Sequence, residues 1–305
     1  MNLNQMAIAQ DIAGASSNTV ASDGKSSVGT QVKDLRFTDI RALSRSMSDL
    51  GEQDAYVFVF STSDCPLVRR YMPRLNELHQ HFHTSKVAFV LVNVGAGDSL
   101  RDIASQAIEF ESPWIFVRDF DHNCVKTLGV SRTPETVILD HQHKICYRGR
   151  IDDQHRVGGS RLQPTRHDLQ LAIEEVLANK SVTVPETTAD GCLITEPPKL
   201  TLDDNVTWST GIATVVYKHC ANCHVDGQAA PFALTSYENV VDHAAMIAEV
   251  VRNETMPPWY ATEGHGEFQN DASLTPTEKR QLLAWLANGH PVGNLAEAPP
   301  APKAN

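Results

Sequence analysis

Two kinds of apolar pattern alternate along the first 180 residues. Ala55 to Phe60 and Val87 to Val94 are unbroken apolar runs of strand length, the pattern of strands covered on both faces. Trp114 to Val117 predicts a third strand and Thr136 to Asp140 a fourth. A polar turn, His141-Gln142-His143-Lys144, leads to a fifth at Ile145 to Arg148. Between them the period changes to that of a helix. Cys65 to about Phe82 carries Leu67, Val68, Tyr71, Met72, Leu75 and Leu78 on one face, with Pro73 predicting a kink. Further helices are predicted over Leu100 to Phe110, Asn123 to Leu128 and His167 to Asn179. Strands and helices in alternation, closed by a hairpin, predict an α/β layer fold around a central sheet.

Beyond residue 205 only helical periods remain. Trp208 to His219 reads as one helix. Val240, Val241, Ala244, Ile247, Val250 and Val251 mark a second, in which Met246 is expected to pack in the core. The last helix has clear ends. Thr275 is a candidate N-cap, Pro276 fits the first turn, Glu278 completes a capping box and Gly289 stops it. Its apolar face is Leu282, Leu283, Trp285 and Leu286. The pattern divides the chain into a disordered leader (1–30), an α/β domain (31–180), a linker (181–204), a small all-α domain (205–292) and a loose tail (293–305). A length of 305 residues suits two domains.

Charge narrows the functional classes. The net charge is −11 with no compensating basic patch, which argues against a nucleic-acid partner. No run approaches the roughly 18 apolar residues of a membrane helix. The leader has no basic start and no apolar core, so it does not read as a signal peptide.

The chemistry is densest at Cys220-Ala221-Asn222-Cys223-His224, a C-x-x-C-H haem-attachment motif. Two thiols at this spacing can add across the two vinyl groups of one haem, leaving His224 to supply an axial bond to iron. Zinc would need a second ligand pair, and Cys65, Cys124, Cys146 and Cys192 are scattered singly. One covalent haem c is therefore expected. Met256, ahead of Pro257 and Pro258, is the candidate sixth ligand, with His243, His265 and His290 as competitors. The carbonyl of Pro231 is a candidate partner for the other ring nitrogen of His224. Such attachment takes place on the exported side of a membrane, so a periplasmic or otherwise exported location is expected. Asn205 to Pro291 resembles a small class I cytochrome c, which implies that Trp285 packs on Val215 or Val216. Only 31 residues lie between His224 and Met256, fewer than in that family.

Gly129-Val130-Ser131-Arg132-Thr133-Pro134-Glu135-Thr136-Val137-Ile138-Leu139-Asp140 is similar to the cis-proline segment of thioredoxin-like proteins. Cys65, at a strand-to-helix turn, stands where their active-site cysteine does, and Pro73 where they kink that helix. The resemblance spans about Val32 to Asn179. It implies a thioredoxin-like domain, a cis Thr133–Pro134 bond and a nucleophilic Cys65, since a helix N-terminus favours a thiolate. Val68 stands where a thioredoxin has its second cysteine, which excludes the standard dithiol motif. Thr62 and Cys65 fit a peroxiredoxin pattern, but Phe58 replaces its proline. Ser61 replaces the first cysteine of a copper chaperone. Within this resemblance Thr62 is a candidate donor to substrate or thiolate, Pro134 a site residue and Cys192 the first choice as resolving cysteine. Cys124 and Cys146 either pair or sit in the core. Asp152 and Asp153, after Arg148-Gly149-Arg150, read as a loop.

The order of parts resembles redoxin–cytochrome c fusions of environmental bacteria. That implies an oxidoreductase coupling a redoxin thiol to a haem, with peroxiredoxin-like antioxidant activity. It also implies a redox partner protein, with a copper oxidase or monooxygenase as partner class. The alternatives are a non-catalytic electron carrier whose redoxin domain docks a partner oxidase, and a metallochaperone.

Overall fold

The computed structural model describes residues 26–196, 200–203, 205–259 and 268–302. The leader up to residue 25 and His265 lie outside the described residues. The strands of the first part are β1 (Arg36–Asp39), β2 (Ser44–Ser46), β3 (Ala55–Ser61), β4 (Val87–Asn93), β5 (Ile115–Arg118), β6 (Arg132–Thr133), β7 (Thr136–Asp140), β8 (Ile145–Gly149), β9 (His155–Arg156), β10 (Gly159–Ser160) and β11 (Cys192–Leu193). Its helices are α1 (Pro66–His81), α2 (Leu100–Glu109), α3 (Asn123–Leu128) and α4 (Asp168–Leu177).

Seven strands form one mixed sheet in the order β2-β1-β5-β4-β3-β7-β8. β3, β4 and β5 run parallel, while β7 lies antiparallel to β3 and forms a hairpin with β8. β3 is buried along its whole length and divides its side chains between two cores. Val57 and Val59 face α1, α2 and α4, whereas Tyr56, Phe58 and Phe60 face α3 and the N-terminal segment. Each fully buried large apolar side chain contributes about 1.5–3 kcal/mol, so this strand is the anchor of the domain. α1 continues unbroken through Pro73 and lays Leu67, Val68, Tyr71, Met72, Leu75 and Leu78 on the sheet.

Two boundaries differ from the sequence reading. Residues 26–30 already belong to the domain, and Gly29 N donates to Ile145 O at 2.8 Å. The stretch from 181 to 196 is a wrap rather than a free linker. Arg148 N donates to Pro185 O at 3.0 Å and Thr187 N to Arg148 O at 3.1 Å, which covers the outer edge of β8. The wrap then delivers β11, which pairs antiparallel with β6.

The second part is largely helical: α5 (Ala213–His219), α6 (Tyr237–Asp242), α7 (Ala244–Arg252) and α8 (Pro276–Ala287). A wider turn, Trp208–Ile212, precedes α5. The single helix expected over Val240–Val251 breaks at His243, and Met246 is 49% exposed rather than in the core. Trp208, Val216, Trp285 and Leu282 share one core. Trp285 meets Trp208 at 6.0 Å between ring centroids, whereas Val215 stands outside that core. The chain is anchored just before the tail. Pro291 and Val292 carbonyls accept from Trp208 N and Ser209 N, two of the donors a helix start leaves unpaired.

Candidate functional site

Cys65 caps the N-terminus of α1, with Pro66 in the first helical position. The turn before it is held by the polar ends of the parallel strands. Asp98 accepts from Ser63 N at 2.8 Å and Asn93 Nδ2 at 2.6 Å, while Arg118 donates to Asn93 Oδ1. The polar terminal residues of otherwise apolar strands were a signal for this support that the sequence reading did not use. Thr62 contributes its main-chain carbonyl, which accepts from Cys65 N at 3.3 Å. Among the described residues no hydrogen bond joins the Thr62 hydroxyl to Cys65.

The Cys65 side chain is 1% exposed. Its Sγ–H reaches Thr133 O at 3.4 Å, one residue before Pro134, and the Thr133–Pro134 bond is cis as the sequence predicts. The carboxylate of Glu135 accepts from Ser131 N and Arg132 N, fixing this loop from inside.

Cys192 comes to the same place from the wrap. It pairs with Thr133 and Leu193 with Arg132. Arg132 donates to Gly191 O at 2.9 Å, and Ile194 N donates to Ser131 O at 2.9 Å. Gly191 has to be small, because a Cβ there would lie 2.1 Å from Thr133 O. The outcome is a Cys65 Sγ–Cys192 Sγ distance of 3.5 Å between two free thiols. Burial, and then the Cys65 sulfur, pushes the Cys192 thiol above its ordinary value. In this arrangement the Cys65 Sγ–H donates toward the Cys192 sulfur. The other two cysteines of the domain have partners of their own. Cys124 Sγ faces Arg36 O and burial raises its titration strongly; Cys146 faces Asp140 and is pushed up to about 11 by burial and that carboxylate.

In the helical part, Cys220 and Cys223 follow α5 directly, and both are free. Cys220 is pushed up to about 11 by burial, whereas Cys223 is exposed. His224 Nδ1 donates to Phe232 O at 3.0 Å, leaving Nε2 without a partner among the described residues. The orienting carbonyl is thus that of Phe232, not of Pro231. Phe232 also stacks on His243, with centroids 4.0 Å apart and planes 8° from parallel. The Met256 side chain is 42% exposed on the loop after α7. Among the described residues no group of three or more His, Cys, Asp or Glu side chains is arranged to hold a metal ion by itself.

Comparison with known proteins bears on the first part of the chain. Residues 17–160 match the family described as Redoxin. The fold is similar to a hypothetical protein of Sinorhizobium meliloti, at 19% identity and TM-score 0.52 over 57% of this chain and 97% of that one. It is also similar to an uncharacterized conserved protein of Geobacillus kaustophilus, at 23% identity and TM-score 0.51 over 57% and 94%. No curated protein matches. No described helix is long and apolar enough to cross a membrane. Residues 17–160 thus match the Redoxin family, and the described part of this stretch belongs to a mixed α/β sheet domain that is followed by a largely helical region.

Proposed function

We propose that this chain is a thiol oxidoreductase in which Cys65 is the nucleophile and Cys192 the resolving cysteine. The observation that carries this reading is the 3.5 Å separation of their sulfurs across the β6–β11 pair. The Cys65 thiolate attacks one sulfur of a disulfide RSSR, forming a mixed disulfide and releasing RS⁻. The Cys192 thiolate then displaces the second RS⁻ and leaves a Cys65–Cys192 disulfide. Two protons pass from the protein thiols to the leaving thiolates. A peroxide ROOH would reach the same disulfide through a Cys65 sulfenic acid, releasing ROH and then water. Thr62 supplies a hydroxyl to the bound substrate, and Pro134 forms the facing wall.

The helical part carries a second redox centre in this reading. Cys220 and Cys223 fit two thioether bonds to one haem, and His224 fits an axial ligand because Phe232 O fixes its tautomer with Nε2 free. Met256 is the proposed sixth ligand. Such a haem, when bound, supplies one-electron transfer. A dithiol couple moves two electrons, so a redox partner protein balances the two centres. Attachment of this kind places the chain on the exported side of a membrane, in the periplasm of a bacterium.

The burial of Cys65 favours a second reading, a non-catalytic electron carrier whose redoxin domain docks a partner oxidase. Replacement of each cysteine separates the two. The reduced full chain is treated with a small disulfide or with peroxide and mapped by mass spectrometry. The thiol reading expects a Cys65–Cys192 disulfide, a trapped Cys65 adduct in Cys192→Ser and neither in Cys65→Ser. Turnover unaltered in Cys65→Ser leaves the carrier reading.

A further inference from the structure

A cavity of about 270 Å³ is lined by the cis-proline, by Tyr71 of α1 and by the loop that follows β8. Pro134 and Asp190 are in its wall, which ties it to both halves of the thiol pair, and Tyr71 and Asp152 line it as well. Asp152 is 1% exposed. Its Oδ1 accepts from Tyr71 Oη at 2.7 Å and Gln154 N at 2.9 Å, but Oδ2 has no partner among the described residues. A buried carboxylate oxygen without a donor forfeits its hydration with nothing in return. Tyr71 stays protonated, because burial and then Asp152 raise it far above its ordinary value, so it serves as a fixed donor.

Around the cavity stand three arginines together with Asp153 and Asp190. Arg150 is committed to Asp168 and Arg161 to Asp153. Arg156 lines the same cavity, is exposed and has no ion pair among the described residues. A ligand that satisfies this arrangement brings a donor to Asp152 and an anion to Arg156. At ~30 Å³ per water, the space matches a group of amino-acid size.

The geometry points to a subsite for the amino-acid end of a low-molecular-weight thiol or disulfide: its ammonium on Asp152 and its carboxylate on Arg156, with the sulfur led past Pro134 toward Cys65. This inference rests on the reading of Cys65 as nucleophile and names its substrate class. The chemistry is the exchange written above, with cystine-type RSSR reduced to two RSH as the Cys65–Cys192 pair is oxidised.

The test separates binding from chemistry. A full-length Cys65→Ser/Cys192→Ser protein is titrated calorimetrically with S-methylcysteine, which cannot exchange, and with ethyl methyl sulfide, which lacks the amino-acid end. Saturable binding of the first alone is expected, weakened about tenfold or more by Asp152→Asn through loss of one charge-assisted hydrogen bond. Arg156→Glu, at an exposed position without an ion pair, gives the same loss without endangering the fold. In the protein with both thiols, the ratio of rates with cystine and with bis(2-hydroxyethyl) disulfide is expected to exceed one and to fall about tenfold in Arg156→Glu. Absence of saturable binding, or a ratio unmoved by Arg156→Glu, overturns the subsite even where exchange itself proceeds. Binding of S-methylcysteine with no exchange of either disulfide keeps the subsite and removes Cys65 as nucleophile.

Discussion

Cys192 stands opposite Thr133 in a two-strand ladder, and it is the Thr133 carbonyl that touches Cys65 Sγ. One backbone pairing thus sets the distance between two sulfurs that are 127 residues apart in sequence. Gly191 is where this pairing is most vulnerable. A methyl there would meet Thr133 O at 2.1 Å and Thr133 C at 2.7 Å, both backbone atoms that cannot swing away. Gly191→Ala is expected to lift β11 and slow formation of the Cys65–Cys192 disulfide about tenfold or more, since overpacking of this kind costs about 1–3 kcal/mol. Quenched-flow alkylation followed by mass mapping reads the rate. A rate equal to that of the parent chain would show that the ladder does not position Cys192.

Asp168 ties the helix over the sheet to the loop that follows β8. Its carboxylate, 1% exposed, accepts from Arg150 Nε at 2.7 Å and Arg166 Nε at 2.6 Å. Removing one partner of a fully buried pair costs about 3–5 kcal/mol. Here both guanidinium groups are a third or more exposed, so water can rescue them. Asp168→Ala is therefore expected to cost only about 1–3 kcal/mol, read as a lower urea midpoint with an unchanged slope.

The legible parts of the fold are those in which side-chain burial carries the information. β3 and β4 stood out because both faces are covered, which writes an unbroken apolar run into the chain. β1 and β2 did not, because Arg36-Phe37-Thr38-Asp39 and Ser44-Arg45-Ser46 are short and mostly polar, with β2 at the sheet edge. β11 is invisible to any periodicity. Both its residues are exposed, and its pairing is a matter of backbone groups and the Arg132 guanidinium. Cys192 was reachable only through its thiol and the glycine before it. In the helical part the Thr275–Glu278 capping box was readable and forms. The break at His243 was not, because the apolar stripe stays in phase across it. The carbonyl facing His224 was misplaced by one residue, since the turn geometry that aims it leaves no trace in residue type.

Glu278 gives the helical region an acid limit. Burial alone would raise its titration. The Thr275 N–H and hydroxyl, His219 Nε2 and Lys218 Nζ outweigh that and hold it down to about 2, against an ordinary 4.5. The folded value lies below the unfolded one, so the stabilisation is complete above about pH 4.5 and is lost as pH falls toward 2. Its size at neutral pH is on the order of 2–3 kcal/mol. Glu278→Gln is expected to lower the urea midpoint at pH 7 and to flatten its dependence on pH between 4.5 and 2. A variant with the parent's acid slope would assign that slope to other carboxylates.

The sixth position on the proposed haem is open to direct measurement. Met256 has a thioether that the core leaves 42% exposed, on a loop stiffened by Pro257 and Pro258. Among the histidines, His243 is engaged through Nδ1 with Asn239 O and stacked on Phe232, while His290 Nε2 is buried without a partner. Methionine–histidine ligation raises a haem's reduction potential relative to other axial pairs. In full-length chain produced with the haem-attachment machinery, Met256→Ala is expected to lower the potential and shift the ferric spectrum while pigment stays bound through denaturation. Cys220→Ser with Cys223→Ser is expected to lose the pigment on acid extraction. A potential unchanged in Met256→Ala would move the ligand to another side chain, with His290→Ala the next variant to measure. A colourless parent chain would remove the haem from this protein while leaving the Cys65–Cys192 pair untouched.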